Sequence, residues 1–110
     1  MTNKTQIVGQ TVLCWAVATP PELKAVRALR MLNRRVCSLP FAVYSNQQCT
    51  QWIVCTGVGQ LNMAMGVGYL SALMSADDTV VWANVGLAGA QSKAIGSAWA
   101  IHQVECGLTD

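Results

Sequence analysis

Gln51-Trp52-Ile53-Val54-Cys55-Thr56-Gly57-Val58-Gly59-Gln60-Leu61-Asn62-Met63-Ala64 runs from an apolar, β-branched and aromatic segment through a Gly-x-Gly turn into a stretch rich in Ala, Met, Gly and Leu. The first part predicts a buried strand over 51–56, and the last a helix over about 60–75. The two glycines permit the tight link between them, and their amides open the helix, where an oxyanion or a sugar hydroxyl can approach. An isolated Gly-x-Gly more often makes only the turn, and no Gly-Lys-Ser/Thr follows to build a Walker-type phosphate loop. The small residues Ala64, Gly66, Gly68 and Ala72 allow this helix to lie close against a sheet, although glycine weakens a helix.

The same grammar extends in both directions. Upstream, the continuous apolar run Val12 to Ala18 predicts a strand covered on both faces. It stops at Pro20-Pro21, which suit the first turn of a helix, with Glu22 complementing its dipole. Leu23, Val26, Leu29 and Leu32 then recur every three residues, predicting an amphipathic helix over 22–32. Val36 to Tyr44 contains Pro40 and reads as a short edge strand or irregular ribbon, followed by a turn at Asn46-Gln47-Gln48. Downstream, Asp77-Asp78 marks a turn, Thr79 to Val85 a third strand ending in Gly86-Leu87-Ala88-Gly89, and Ala98 to Val104 a fourth. The alternation of strand and helix predicts a single α/β domain with a mainly parallel sheet and flanking helices. Ligands of such sheets gather at the carboxyl ends of the strands, which here are Thr19 to Glu22, Thr56 to Gly59 and Val85 to Gly89.

Composition narrows the setting. Of 110 residues, 11 % are charged and 53 % apolar, where about 25 % charged is usual. So few charges leave apolar surface to be covered, which predicts a homo-oligomer. No stretch reaches the ~18 to 20 apolar residues of a membrane span. Val12 to Ala18 reads better as a first strand than as a signal peptide, so the sequon at Asn3-Lys4-Thr5 carries no meaning. The five cysteines are odd in number and form no C-x-x-C pair, as expected of reduced core thiols in a cytoplasmic protein. With His102 the only histidine, no metal site and no cofactor is expected. The four tryptophans fall in predicted strands and read as core or interface residues, as do Met63, Met65 and Met74. Lys24, Arg27, Arg30, Arg34 and Arg35 cluster around the first helix, but the solvated face of an amphipathic helix accounts for them better than nucleic-acid binding does.

Three stretches in order carry a family resemblance. Thr56-Gly57-Val58-Gly59-Gln60-Leu61-Asn62-Met63-Ala64 is similar to the S-G-x-G-K-V-N-A-A segment of methylthioadenosine/S-adenosylhomocysteine nucleosidases. Val80 to Gly89 resembles their V-I-N-x-G-x-A-G-G strand and turn, with Ile95-Gly96-Ser97 where the family has x-G-D. Val12 to Ala18 with Glu22 and Leu23 resembles their first strand and acidic helix start. The chain thus resembles the N-terminal half of the nucleoside phosphorylase and nucleosidase family, about half of a typical member. The resemblance implies a purine nucleoside or related small molecule as ligand and N-glycosidic cleavage as chemistry. It implies that Glu22 activates water and stabilises the cationic sugar. It gives Gly57 and Val58, with Leu87, Ala88 and Gly89, the lining of the base and ribose pocket, and Thr19 its border.

Departures from the family pattern bear on each role. Leu87 stands where a small or hydroxylated residue is usual, Ser97 replaces an aspartate and Gln60 a lysine. No arginine lies near Gly57 or Gly89, which favours hydrolysis over phosphorolysis. The family's ribose-holding Met-Glu segment and base-protonating aspartate belong to its C-terminal half and have no counterpart before Asp110. Acid-base catalysis alone is worth roughly 10² to 10⁴ in rate, so activity is expected only where another half or a second chain completes the site. A non-catalytic binding or assembly module is the alternative. The nucleoside reading requires Glu22 to face the same hollow as Gly57 and Ala88.

Overall fold

A computed structural model describes residues 9–88 and 93–101. The elements are β1 (Thr11–Val17), α1 (Pro20–Arg30), β2 (Arg34–Cys37), β3 (Ala42–Ser45), β4 (Gln51–Cys55), α2 (Gln60–Leu73) and β5 (Thr79–Asn84). They form one five-stranded mixed sheet in the order β2-β3-β4-β1-β5. β1 lies between β4 and β5 and is parallel to both, pairing Leu13 with Gln51 and Thr11 with Thr79. β3 pairs antiparallel with β2 and with β4.

The expected α/β architecture is therefore present, with two corrections. The region over 36–44 is a hairpin of two strands, β2 and β3, rather than a single edge ribbon, and it adds an antiparallel wing to the sheet. Pro40 falls between the strands, after a cis Leu39–Pro40 peptide, so its missing N–H interrupts neither ladder. The fourth predicted strand is not seen at 98–101, which are exposed and without regular structure, and the rest of it lies outside the described residues. Trp99 is consequently 60 % exposed rather than packed in a strand. Trp15, Trp52 and Trp82 do lie in strands.

Residue alternation divides β1 between two helices. Cys14 and Ala16, with Val43 and Val54, pack under Leu70 of α2, joined by Met63, Val67 and Met74. Val17, with Tyr44 and Ile53, packs under Val26 of α1 and under Leu32, joined by Trp15 and Leu23. Coverage on both faces is the reason β1 reads as an unbroken apolar run. α1 begins at Pro20-Pro21, where the missing amides are ones a helix start leaves unpaired. It ends where Met31 turns left-handed at φ 58° and Leu32 returns its N–H to the Arg27 carbonyl at 3.0 Å.

α2 approaches the sheet most closely at Gly66, where a Cβ would run into the Thr56 side chain. The helix contains no charged residue, and Leu61, Met65 and Leu73 on its outer side are exposed. Met65 thus departs from the packing expected of it. Cys14, Cys37, Cys49 and Cys55 are free thiols. Burial, reinforced by the charge of Asp78, pushes the Cys14 thiol up to about 11, as suits a protonated core residue. Among the described residues no helix is long and apolar enough to cross a membrane.

Candidate functional site

The parallel strands β1, β4 and β5 deliver their carboxyl ends to one edge of the sheet. There the Thr56 amide donates to the Val17 carbonyl at 2.9 Å, and the Val85 amide to the Ala16 carbonyl at 3.3 Å. These bonds carry the parallel pairing past the strands into the loops. The Asn84 side chain also donates to the Ala16 carbonyl at 2.9 Å, tying the end of β5 to β1.

Glu22 sits in the first turn of α1 and is buried, with 9 % of its surface exposed. Its Oε1 accepts the amides of Ala18 and Thr19, each at 3.1 Å, and its Oε2 accepts the Leu87 amide at 2.9 Å. The bond to Thr19 is the return half of a capping box; the bond to Leu87 reaches across the chain to the turn after β5. Burial alone would raise the carboxyl pKa. The amides of Leu87, Ala18 and Thr19, with the Thr19 side chain, outweigh burial and hold it below its ordinary value. The group is an ionised carboxylate at neutral pH. The three amides occupy three of its roughly four acceptor positions, and the Thr19 hydroxyl also bonds the carboxylate. Such a group can orient a water or a hydroxyl and stabilise a nearby cation, but its lowered pKa makes it a weak proton acceptor.

Thr19 is the N-cap of α1 in extended conformation, and its carbonyl accepts the Leu23 amide at 3.0 Å. Gly57 and Gly59 take φ of 90° and 104°, which a side chain would strain, so the turn before α2 depends on glycine there. Val58 between them is exposed, and its carbonyl accepts the Asn62 side-chain amide at 2.8 Å. Thr56 is buried and donates its hydroxyl to the Gly57 carbonyl at 2.8 Å. Leu87 and Ala88 are exposed, and Gly89 lies outside the described residues.

Two hollows adjoin this edge. One of about 320 Å³ lies between β1, β5 and α2, lined by Ala16, Met63, Val67, Trp82, Ala83 and Asn84. A wider one of about 1110 Å³ is bordered by Asn84 to Ala88 and by residues of the 93–101 segment. The structure therefore joins Glu22 and Thr19 to Leu87 and sets Leu87 and Ala88 on the wider hollow. Among the described residues, Glu22, Gly57 and Val58 line neither hollow, so the single hollow expected to be shared by Glu22, Gly57 and Ala88 is not seen; only Ala88 borders one. Gly57 and Val58 belong to the neighbouring strand end, where the Gly57 backbone hydrogen-bonds the Cys55 thiol. Burial raises the pKa of that thiol, and the charge of Glu22 adds to the effect.

Two residues of the edge escape a sequence reading. Asn84 touches both hollows and holds the Ala16 carbonyl, yet in sequence it is only a polar residue near the end of an apolar strand. Cys55 stands between the Gly57 and Glu22 influences, yet reads as one more core thiol. Among the described residues no group of three His, Cys, Asp or Glu side chains could hold a metal ion. The chain matches no family model, no curated protein and no solved structure.

Proposed function

We propose that this edge is the N-terminal half of a purine nucleoside site of the nucleosidase and nucleoside phosphorylase kind. On this reading, the chain takes part in N-glycosidic cleavage once further residues or a partner chain supply the ribose-holding and base-protonating groups. The observation that carries the reading is the Glu22 carboxylate, held ionised by amides from the start of α1 and from the turn after β5, which borders the wider hollow. A cationic sugar is stabilised by a fixed negative charge whose hydrogen bonds need not rearrange during reaction. Glu22 would hold the attacking water, Leu87, Ala88 and Gly89 would border base and ribose with Thr19 at the rim, and Gly57 and Val58 would reach the ligand only from the neighbouring strand end. The fold on this reading is half of a nucleoside phosphorylase-like fold, in a reducing, cytoplasmic setting.

The test is adenosine, inosine and methylthioadenosine added in a thermal-unfolding assay, with free base followed by chromatography. Stabilisation by a nucleoside that Glu22→Gln abolishes supports the site. No stabilisation by any of the three overturns it. Stabilisation without release of base identifies a binding module.

A second reading has its own observation. α2 is apolar on all sides, and Leu61 and Met65 are 73 % and 54 % exposed. A helix of that kind is normally enclosed, which favours a homo-oligomeric assembly module that need not catalyse. Sedimentation velocity tests it: a monomer at micromolar concentration rejects it.

A further inference from the structure

On the sheet face covered by α1, one cross-strand row carries Trp15, Ile53, Tyr44 and Arg35, from β1, β4, β3 and β2 in turn. α1 lays two more arginines onto the aromatic members of this row. The guanidinium carbon of Arg27 is 3.7 Å from the centre of the Tyr44 ring, and that of Arg30 is 5.8 Å from the centre of the Trp15 ring. Arg35 stands 5.3 Å from the same Tyr44 ring. Lys24, Arg30 and Arg35 are exposed, as expected of a solvated face, while Arg27 is half-buried; in addition, the guanidiniums of Arg27, Arg30 and Arg35 rest on aromatic rings.

Each guanidinium is also held by hydrogen bonds. Arg27 Nε donates to the Leu32 carbonyl at 3.0 Å. Arg30 Nε donates at 3.1 Å to Gln51 Oε1, which also accepts the Trp15 indole N–H. Arg35 donates to Ser38 Oγ at 2.7 Å and to the Tyr44 hydroxyl at 2.8 Å. Among the described residues, none of these acceptors is a carboxylate. Arg27 and Arg35 thus share the Tyr44 ring, and Arg30, one turn after Arg27 on α1, rests on Trp15 across Ile53; among the described residues no carboxylate accepts from any of the three. One cation-π contact would suffice to pin α1 to the sheet. Three arginines on one face, two of them sharing a ring, form a like-charge group whose mutual repulsion a bound anion would relieve.

We propose that Arg27, Arg30 and Arg35 form a binding site for a multiply charged phosphate anion. Planar guanidiniums give paired N–H donors matched to phosphate oxygens, and the rings beneath hold them in place, so little side-chain freedom is lost on binding. Lys24, one turn earlier on α1 and exposed, adds attraction. The carbonyl end of α1 opposes an anion with about half an elementary charge, against three full positive charges. The site is separate from the Glu22 edge, because Arg30 meets Gln51 at the start of β4. Along the axis of α1, Arg30 lies about 12 Å and Arg27 about 7.5 Å from Glu22.

Calorimetric titration of the protein with inorganic tripolyphosphate in 0.15 M salt tests the site. Binding is expected, weakened about tenfold or more by Arg30→Gln and by Arg35→Gln, and unchanged by Lys93→Gln, whose ammonium stacks on Trp99 elsewhere. Circular dichroism confirms that each variant is folded; both arginines are exposed, and glutamine keeps a donor for their acceptors. A short oligothymidylate distinguishes the source of the phosphates. Displacement of tripolyphosphate by it identifies a nucleic-acid backbone, and no displacement identifies a free or esterified phosphate chain; either supports the site. Failure of the wild-type protein to bind tripolyphosphate overturns the proposal. So does equal weakening by Lys93→Gln, or affinity unchanged in both arginine variants.

Discussion

The Glu22 carboxylate and the Leu87 amide, 65 positions apart in the chain, meet at 2.9 Å and close the carboxyl edge of the parallel strands. The same carboxylate holds the Ala18 and Thr19 amides, so one side chain fixes both where α1 starts and where the turn after β5 lies.

Removing that side chain leaves three main-chain amides without their partner. Glu22→Ala is expected to destabilise the protein by about 0.5–2 kcal/mol, the range for losing a helix-start cap. Glu22→Gln presents one acceptor and one donor where two acceptors stood, and is expected to fall between Ala and wild type. Equilibrium urea unfolding measures the order, and an Ala variant as stable as wild type contradicts it.

Because the Glu22 pKa is lowered in the folded protein, its linkage has a definite sign. The unfolded chain binds the proton more readily, so the stabilising contribution is present above the unfolded value of about 4.3 and is lost as pH falls through the lower folded value. The stability difference between wild type and Glu22→Gln should be constant from pH 7 to about 5 and shrink below about 4. Urea midpoints at half-unit pH intervals check this, and a difference that grows on acidification contradicts it.

The contact of α2 with the sheet at Gly66 predicts a non-additive pair. Gly66→Ala places a methyl against the Thr56 side chain and should cost about 1–3 kcal/mol, although alanine favours helix. Thr56→Ser removes the nearest offending carbon and keeps the hydroxyl that bonds the Gly57 carbonyl. The double variant should regain part of the loss, giving a coupling of at least about 0.5 kcal/mol in a double-mutant cycle. Simple addition of the two single effects is the contrary result.

Gly59 separates backbone strain from steric contact. Nothing lies within 4 Å of a Cβ added there, yet its φ is 104°. Gly59→Ala should therefore cost about 1–3 kcal/mol through conformation alone. Denaturant unfolding reads the loss, and a neutral substitution means that the turn before α2 relaxes freely.

Much of the architecture was legible because each central element is written locally. Val12 to Ala18, Trp52 to Cys55 and Val80 to Trp82 are apolar runs bounded by Pro, Gly or Asp, and the Leu23-Val26-Leu29 spacing belongs to a helix. The β2–β3 hairpin was not legible as two strands, since four-residue strands flanking Pro40 carry too few alternations to show a period. Leu29 fits the apolar stripe yet is exposed, because Leu23, Val26 and Leu32 already cover the row of Tyr44 and Ile53. At the candidate site, Glu22 stood out through its place after two prolines. Its tie to Leu87 was invisible, because a main-chain amide has no residue signature. The stacking of Arg27 on Tyr44 was hidden likewise: the two are neighbours only through the antiparallel wing that brings β3 beside β4.

The position of β1 governs the order in which the protein can be assembled. It leaves the ribosome before both its neighbours, which are encoded far downstream, with Gln51 meeting Trp15 across 36 positions and Asn84 meeting Ala16 across 68. During synthesis the β2–β3–β4 meander can zip first from short-range pairings, after which β1 docks along one side. Only emergence of β5 seals the other side, so a nascent chain stalled before Thr79 would present β1 as a bare apolar edge for chaperones to hold.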